Sequence, residues 1–406
     1  MREDWNEIKM VDACEILTCG VASTPKYVDE SIGVPFLSAQ NVKNGKVILH
    51  KYNYISQEFH EHLTKKNKPR KGDILYSRVG AKYGEAGVIE HDFEFSVYVS
   101  VTLMRPKADL FDNYYFKYYL NSPRIKELAK KSIQSSGVPN LNVKVVREFP
   151  IPIPPLSEQQ QIVAKLDQAF KAIDQAKANI EKNIKNAKEL LQSKLNDIFS
   201  LKGVGWKKEK MVDVCSILTC GVASTPKYVD ESVGVPFLSA QNVKNGEIVL
   251  DKYRYISQEF HERLTKKNKP QKGDILYSRV GAKFGEAGVV EHDFEFSVYV
   301  SVTLIRPLSE KLNNYYFKYY LNSPTIKSLA KSSITSSGVP NLNVKTVREF
   351  PVIYPSINRQ LEIVSEIKDL ESACFKVINK YELKSRNLTE FKKSILQKAF
   401  AGELTN

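Results

Sequence analysis

The chain is written almost twice. The segment VASTPKYVDES begins at Val21 and again at Val222, and the offset of 201 residues holds without a gap, pairing Trp5 with Trp206, Gly137 with Gly338 and Phe199 with Phe400. Solenoid units run about 20–50 residues, so this is no solenoid. Each copy is a domain with an appendage. Residues 11–150 match 212–351 at 116 of 140 positions, whereas 151–199 match 352–400 at only 11 of 49. The first part presents the same side chains twice, and the second keeps only a pattern.

That pattern is a long helix. Ser157 followed by Gln160 reads as a capping box just after the helix-excluding run Ile151 to Pro155, and Asn358 serves as N-cap in the second copy. Spacings of four and three place Ile162, Leu166, Ile173, Ile180 and Leu190 on one seam, with Ile363, Ile367, Leu370, Val377, Tyr381, Leu388, Phe391 and Ile395 on the other. Neither Pro nor Gly interrupts 157–199 or 358–400. Two solitary helices of about 65 Å would be poorly covered, so they should pair. The short linker LKGVG at Leu201 to Gly205 makes the pairing antiparallel. Asn183 and Lys384 hold equivalent seam positions, where a polar residue can fix register.

Charge locates the working parts. The chain of 406 residues carries +14, of which the helices account for +3, leaving +11 on the globular parts. A balance that basic suits a polyanion, nucleic acid before membrane. The charged start MREDWNEIKM reads against a secretory signal, and no apolar run approaches the roughly 18 residues of a membrane span. Five cysteines with no CxxC spacing read as reduced, mostly buried thiols of a cytosolic protein.

Each globular part reads as α+β. Strands are expected at 34–42, 46–55, 73–79 and 94–104, with helices from Ser56, Asn113 and Pro123. Four blocks carry candidate contacts to nucleic acid. Gln40, Asn41 and Lys43, with Gln241, Asn242 and Lys244, precede an Asn-Gly hairpin signal and have the side chains that pair with adenine. The basic turn Lys65, Lys66 and Lys68, with Lys266, Lys267 and Lys269, suits phosphates, although such turns also serve as solubilising loops. Arg78 and Lys82, with Arg279 and Lys283, lie in a glycine-rich segment, and Arg78 could read a guanine edge. The loops holding Gln134, Ser136 and Asn140, and Ser337 and Asn341, could enter a groove.

Catalytic constellations are missing. His60 and His62 do not share a helix face, no cysteine supports them as metal ligands, and neither a phosphate-binding loop nor an adenine-methylation motif occurs. Glu382 and Glu390 could suggest a fused nuclease, but they fall on the helix, where alternating charge is expected.

The repeated blocks GVASTP, VPFLSAQNV, KGDILYSRVG and SGVPNLN, the junction FPIPIPPLSEQQQIV at Phe149 to Val163 and the closing LQKAFAGEL resemble the specificity subunit of type I restriction–modification systems over the whole chain. The junction departs from the pattern in the second copy, which reads YPSINRQ at Tyr354 to Gln360. The resemblance implies two target-recognition domains separated by two long helices, which agrees with the repeat: near-identical domains at 1–156 and 201–357, and spacer helices at 157–200 and 358–406 forming an antiparallel coiled coil with a pseudo-two-fold. It implies a non-catalytic chain that binds double-stranded DNA and two methyltransferase subunits, with restriction subunits joining in some systems. S-adenosylmethionine and adenine-N6 chemistry would belong to the methyltransferase partner, and the setting would be bacterial or archaeal cytoplasm. Near-identical readers imply a gapped near-palindrome, its half-sites about 34–36 Å apart by analogy with symmetric dimeric readers. The other reading is a stand-alone architectural or regulatory DNA-binding protein without an enzymatic partner.

Overall fold

The computed structural model describes every residue except 1, 3, 22–24, 134–136, 201–202, 223–225, 283, 335–337 and 406. The chain divides into two units, one of residues 1–180 with 382–406 and one of residues 181–381.

The first unit contains two four-stranded sheets. One is antiparallel, ordered Cys14–Cys19, Val101–Pro106, Ile74–Ser77, Ala86–Val88. The other is mixed, ordered Ser96–Val97, Val34–Leu37, Asn53–Ile55, Tyr27–Val28, with its first pair parallel. A two-stranded pair, Asn6–Lys9 with Pro150–Ile153, closes the domain. The second unit repeats each of these sheets.

Local chemistry explains the short helices. Ser56, Asp112, Ser122 and Asn142 each accept a backbone N–H of the helix they precede, at Gln57–Thr64, Asn113–Leu120, Pro123–Lys131 and Val143–Arg147. Asn44 and Gly45 adopt φ of 54° and 74°, joining Val42–Lys43 to Lys46–Val47 in the expected hairpin. Three of the expected strands are broken. The run 34–42 stops at Leu37, where Ser38 and Asn41 cap a turn of 3-10 helix; 46–55 is strand only at its ends; and 94–104 is interrupted by the turn Tyr98–Ser100. Apolar runs predicted continuous strands because the breaks are made by hydrogen bonds that hydropathy does not register.

The long helices span Leu156–Ser200 and Ile357–Ala401. They pack against each other within both units. In the first, Lys177 Nζ donates to Thr389 Oγ1 at 2.7 Å and Lys392 Nζ meets Asp174 at 3.3 Å. In the second, Asn183 Nδ2 donates to Tyr381 Oη at 3.2 Å and the Cys374 thiol lies 3.6 Å from the Ala187 carbonyl. Partner numbers fall along one helix as they rise along the other, so the pairing is antiparallel. The seam differs from the expected one in phase. Leu190, Val377 and Phe391 are exposed, and Leu191, Ile378 and Lys392 lie inward in their place. The inward positions take successive steps of four, at 183, 187, 191 and 195 in the first helix and at 370, 374 and 378 in the second, because a 3.6-residue helix drifts against a strict 3.5 repeat. Lys384 consequently lies on the exposed side, whereas Asn183 keeps its place on the seam.

Of the ten identities within the divergent helices, five fall where helix meets domain, at 159, 162, 163, 195 and 199. Gln159 is buried, receives the Asp112 N–H at 2.9 Å and donates to the Leu110 and Pro154 carbonyls. Gln360 makes the same three bonds to Asn313, Lys311 and Pro355. The helix junction therefore rests on Gln159 and Gln360, not on the expected box at Gln160, and the departure YPSINRQ leaves it intact. At the other end, Phe400 packs edge-on against Tyr115 and Tyr119 in the first unit, and Phe199 against Tyr316 and Tyr320 in the second. Each long helix thus starts on its own domain and ends in the core of the other copy's domain.

One equivalent spot is built differently. Ile8, Leu110 and Ile153 pack on the first core, while their counterparts Glu209, Lys311 and Tyr354 form a polar triad, with Lys311 Nζ 2.7 Å from Glu209 and the Tyr354 hydroxyl on the same carboxylate. All five cysteines are free thiols; Cys14 and Cys374 are buried and the other three half-buried.

Candidate nucleic-acid interface

The turn Tyr98–Ser100, which breaks the expected strand, gathers the candidate loops of the first domain. Val99 N–H donates to the Val21 carbonyl at 3.0 Å, tying in the GVASTP loop. Gly20 makes this approach possible, since a Cβ there would lie 1.9 Å from the Val97 carbonyl oxygen. Ser100 Oγ accepts from Ala39 N–H at 3.0 Å, which fixes the loop carrying Gln40. Arg78 N–H donates to the Ser100 carbonyl at 2.9 Å.

Arg78 then clamps a third loop. Its guanidinium is buried and donates from Nε to the Leu141 carbonyl at 2.9 Å, from Nη1 to the Val99 carbonyl at 2.7 Å and from Nη2 to Asn140 Oδ1 at 3.0 Å. Arg279 makes the same bonds to Leu342, Val300 and Asn341. These acceptors are neutral, so the positive charge is not cancelled by them and adds to the potential of this face. In this arrangement Arg78 and Arg279 position the loop, where sequence suggested a direct reader of guanine. Asn140 and Asn341 are exposed and give one oxygen to the clamp. Gln134, Ser136, Ser337 and Lys283 lie outside the described residues.

The adenine-reading pair divides. Asn41 is buried, accepting from Ser38 N–H and donating to the Ile48 and Lys51 carbonyls at 3.0 and 3.1 Å, and Asn242 repeats this. With three of its groups engaged internally, Asn41 shapes the loop and is not presented to a base. Gln40 and Gln241 are exposed. Lys43 is exposed, while Lys244 is half-buried, 3.5 Å from Asp251.

The basic turn borders the same region. Thr64, Asn67 and Pro69 line a cleft of about 210 Å³ together with Cys19, Gly20, Val21 and Ser96. Asp73, almost wholly buried, receives Arg105 through both carboxylate oxygens at 2.8 and 2.9 Å and the Arg70 N–H at 2.9 Å, which fixes the turn. Lys65 and Lys66 are exposed on it, as are Lys266 and Lys267. Lys68 and Lys269 are ion-paired with Glu94 and Glu295, each of which holds its carboxyl below the usual range through that bond. His60 packs behind, its Nδ1 3.0 Å from Ser96 Oγ, and burial lowers its pKa. Lys82 is exposed beside the Arg78 segment.

Sequence reasoning missed an aromatic cleft of about 240 Å³ lined by Tyr27, Phe36, Ser38, Ala39, Gln40, Asn53, Tyr98 and Ser100. Tyr27 is 48% exposed, and Tyr98 meets Phe36 edge-on at 5.8 Å. The signal was present in STPKYVDES, identical in both copies yet rich in residues that no core needs. Basic turn, exposed amides and an aromatic cleft around one turn form a surface suited to phosphates and base edges. Among the described residues no group of three or more metal-ligating side chains occurs, and no helix is long and apolar enough to cross a membrane.

Comparison with known proteins agrees with this surface. The family model described as the type I restriction modification DNA specificity domain matches residues 2–186 and again 203–384. The EcoKI specificity subunit of Escherichia coli K12 is 24% identical over 394 residues, covering 92% of this chain and 82% of that protein. The MjaVIII specificity subunit of Methanocaldococcus jannaschii is 21% identical over 424 residues, covering 99% and 93%. Among solved structures, a chain of a type I R-M system is similar at TM-score 0.78 and 17% identity, covering 100% of this chain and 99% of its own. The HsdS subunit of Thermoanaerobacter tengcongensis is similar at TM-score 0.60 and 18% identity, covering 100% and 98%. At these identities the structures speak for the fold.

Proposed function

Because the chain belongs to the family of type I restriction–modification DNA specificity domains, we propose that it is the DNA-recognition subunit of a methyltransferase complex. Each domain reads one half of a bipartite site. The long helices set the gap and dock two methyltransferase subunits, which carry S-adenosylmethionine and methylate adenine N6; in systems that have restriction subunits, these join the same assembly. The chain itself contributes recognition and no catalytic group.

One observation carries this reading. The clamp, the turn it gathers and the basic loop recur in both domains with the same partners, while the helices between them have diverged. Two equivalent readers built from one set of parts suit two nearly equal half-sites. The test is a methylome: the chain co-expressed with its methyltransferase subunits in a methylation-free host, with N6-methyladenine mapped by sequencing. The expected result is a gapped motif with nearly matching inverted halves. A contiguous motif, or no modification from a complex that assembles, overturns the reading.

A further inference from the structure

We propose that residues 53 and 254 are the specificity-determining pair that makes the two half-sites differ at one purine, Asn53 selecting adenine and Arg254 guanine. The inference rests on the two domains being half-site readers and names where their equivalence ends.

Of the eight residues lining the aromatic cleft, seven are identical in the second domain; the eighth is Asn53, whose counterpart is Arg254. Both are exposed, on a strand that pairs residue 53 with Phe36 and residue 254 with Phe237. The substitution therefore changes the chemistry at the cleft and leaves its walls alone. Arg254 also has a defined place. Its guanidinium carbon lies 4.4 Å from the centre of the Tyr228 ring, and Tyr228 is 38% exposed where Tyr27 is 48%.

A guanidinium held over a ring face loses little freedom on binding. Its N–H edge is a fork of donors, which matches guanine O6 and N7 in the major groove. The carboxamide of Asn53 offers one donor and one acceptor, which match adenine N7 and N6. Both are purines, so one cleft geometry serves both domains. The other differences lie outside the cleft lining: His62 becomes Arg263, its guanidinium carbon 4.8 Å from the Phe260 ring on the helix before the basic turn, and His50 becomes Asp251, 3.5 Å from Lys244. Arg70 lies 3.9 Å from Glu15, and both are replaced in the second copy, by Gln271 and Ser216, so the ion pair is lost as a unit. Ile32 and Tyr83 become Val233 and Phe284, which keep their shape.

The test uses the full chain with its methyltransferase subunits and the same methylome readout, followed by duplex binding. The wild-type motif is expected to have matching halves except at one position, adenine in one and guanine in the other. Arg254→Asn should make the halves identical with adenine, and Asn53→Arg identical with guanine. In duplex binding the right purine should be preferred by about 5- to 150-fold at that position. Arg254→Lys should lose the guanine preference while keeping the salt dependence, because it keeps the charge and loses the fork. Perfectly matching wild-type halves, a motif that neither exchange alters, or guanine preference surviving in Arg254→Lys overturns the assignment and leaves half-site reading intact. Absence of any bipartite motif overturns half-site reading itself.

Discussion

Phe400, the last aromatic residue of the chain, should stabilise the first domain, nearly three hundred positions earlier. It is 6% exposed, with ring centres 5.4 Å from Tyr115 and 5.0 Å from Tyr119. Truncating a buried Phe to Ala costs about 3–5 kcal/mol, and two edge-on ring contacts place Phe400→Ala toward the upper part of that range. With a urea slope of ~2 kcal/mol per molar, the midpoint should fall by roughly 2–2.5 M. The chain supplies its own reporters. Trp5 is buried in the same core as Phe400, and Trp206 packs on the core that holds Phe199. In a Trp206→Phe background, Trp5 fluorescence should report the full loss for Phe400→Ala. In a Trp5→Phe background, Trp206 should report the equivalent loss for Phe199→Ala. A Trp5 midpoint unmoved by Phe400→Ala would refute the crosswise docking.

Asp73→Ala removes the carboxylate that holds Arg105 and the basic turn, and should cost about 3–5 kcal/mol in equilibrium unfolding; Arg105→Ala should lose a similar amount. Exchanging Lys65, Lys66, Lys266 and Lys267 for Gln should flatten the dependence of log K on log salt by up to ~0.9 for each phosphate contact removed, measured by duplex anisotropy. An unchanged slope would take these turns off the interface. Burial holds His60 and His261 below their ordinary value of 6.5, so the unfolded chain takes up these protons more readily. Stability should therefore be full above pH 6.5 and fall as pH drops from there toward the folded values. The double variant His60→Gln with His261→Gln should flatten that decline in urea midpoints.

The repeat, the long helices and their antiparallel pairing could be read directly, because periodicity and an unbroken offset are properties of sequence. The seam phase could not: Val377 and Ile378 are equally apolar, and only the drift of a real helix chooses the second. Gln159 was hidden in a run of three glutamines, since its partners at Leu110 and Asp112 are remote in sequence. Arg78 was legible as important but not as a clamp, for the same reason: its acceptors lie 21 to 63 residues away. The internal bonding of Asn41 was not legible, because an amide that caps its own loop has the same composition as one that faces a base. The aromatic cleft escaped notice because Tyr27, Phe36, Asn53 and Tyr98 come from four separate segments.

The apolar trio at Ile8 and its polar counterpart at Glu209 bear on how such a chain reaches its native state. Adjacent stretches identical at 116 of 140 positions invite strand exchange during folding. The closing strands are where an exchange would have to end. If Lys207–Lys210 paired with Pro150–Ile153, Glu209 would lie against Leu110 and Ile153 and leave a carboxylate without its lysine and tyrosine. Glu209 and Lys311 are 28% and 32% exposed, so such a mispairing loses one partly exposed ion pair and one tyrosine hydrogen bond, on the order of 1–2 kcal/mol. The reverse exchange would set Ile8 beside Lys311 and Tyr354, stranding both. The closing strand pair of each copy therefore carries a preference for its own partner where the rest of the two domains is nearly interchangeable.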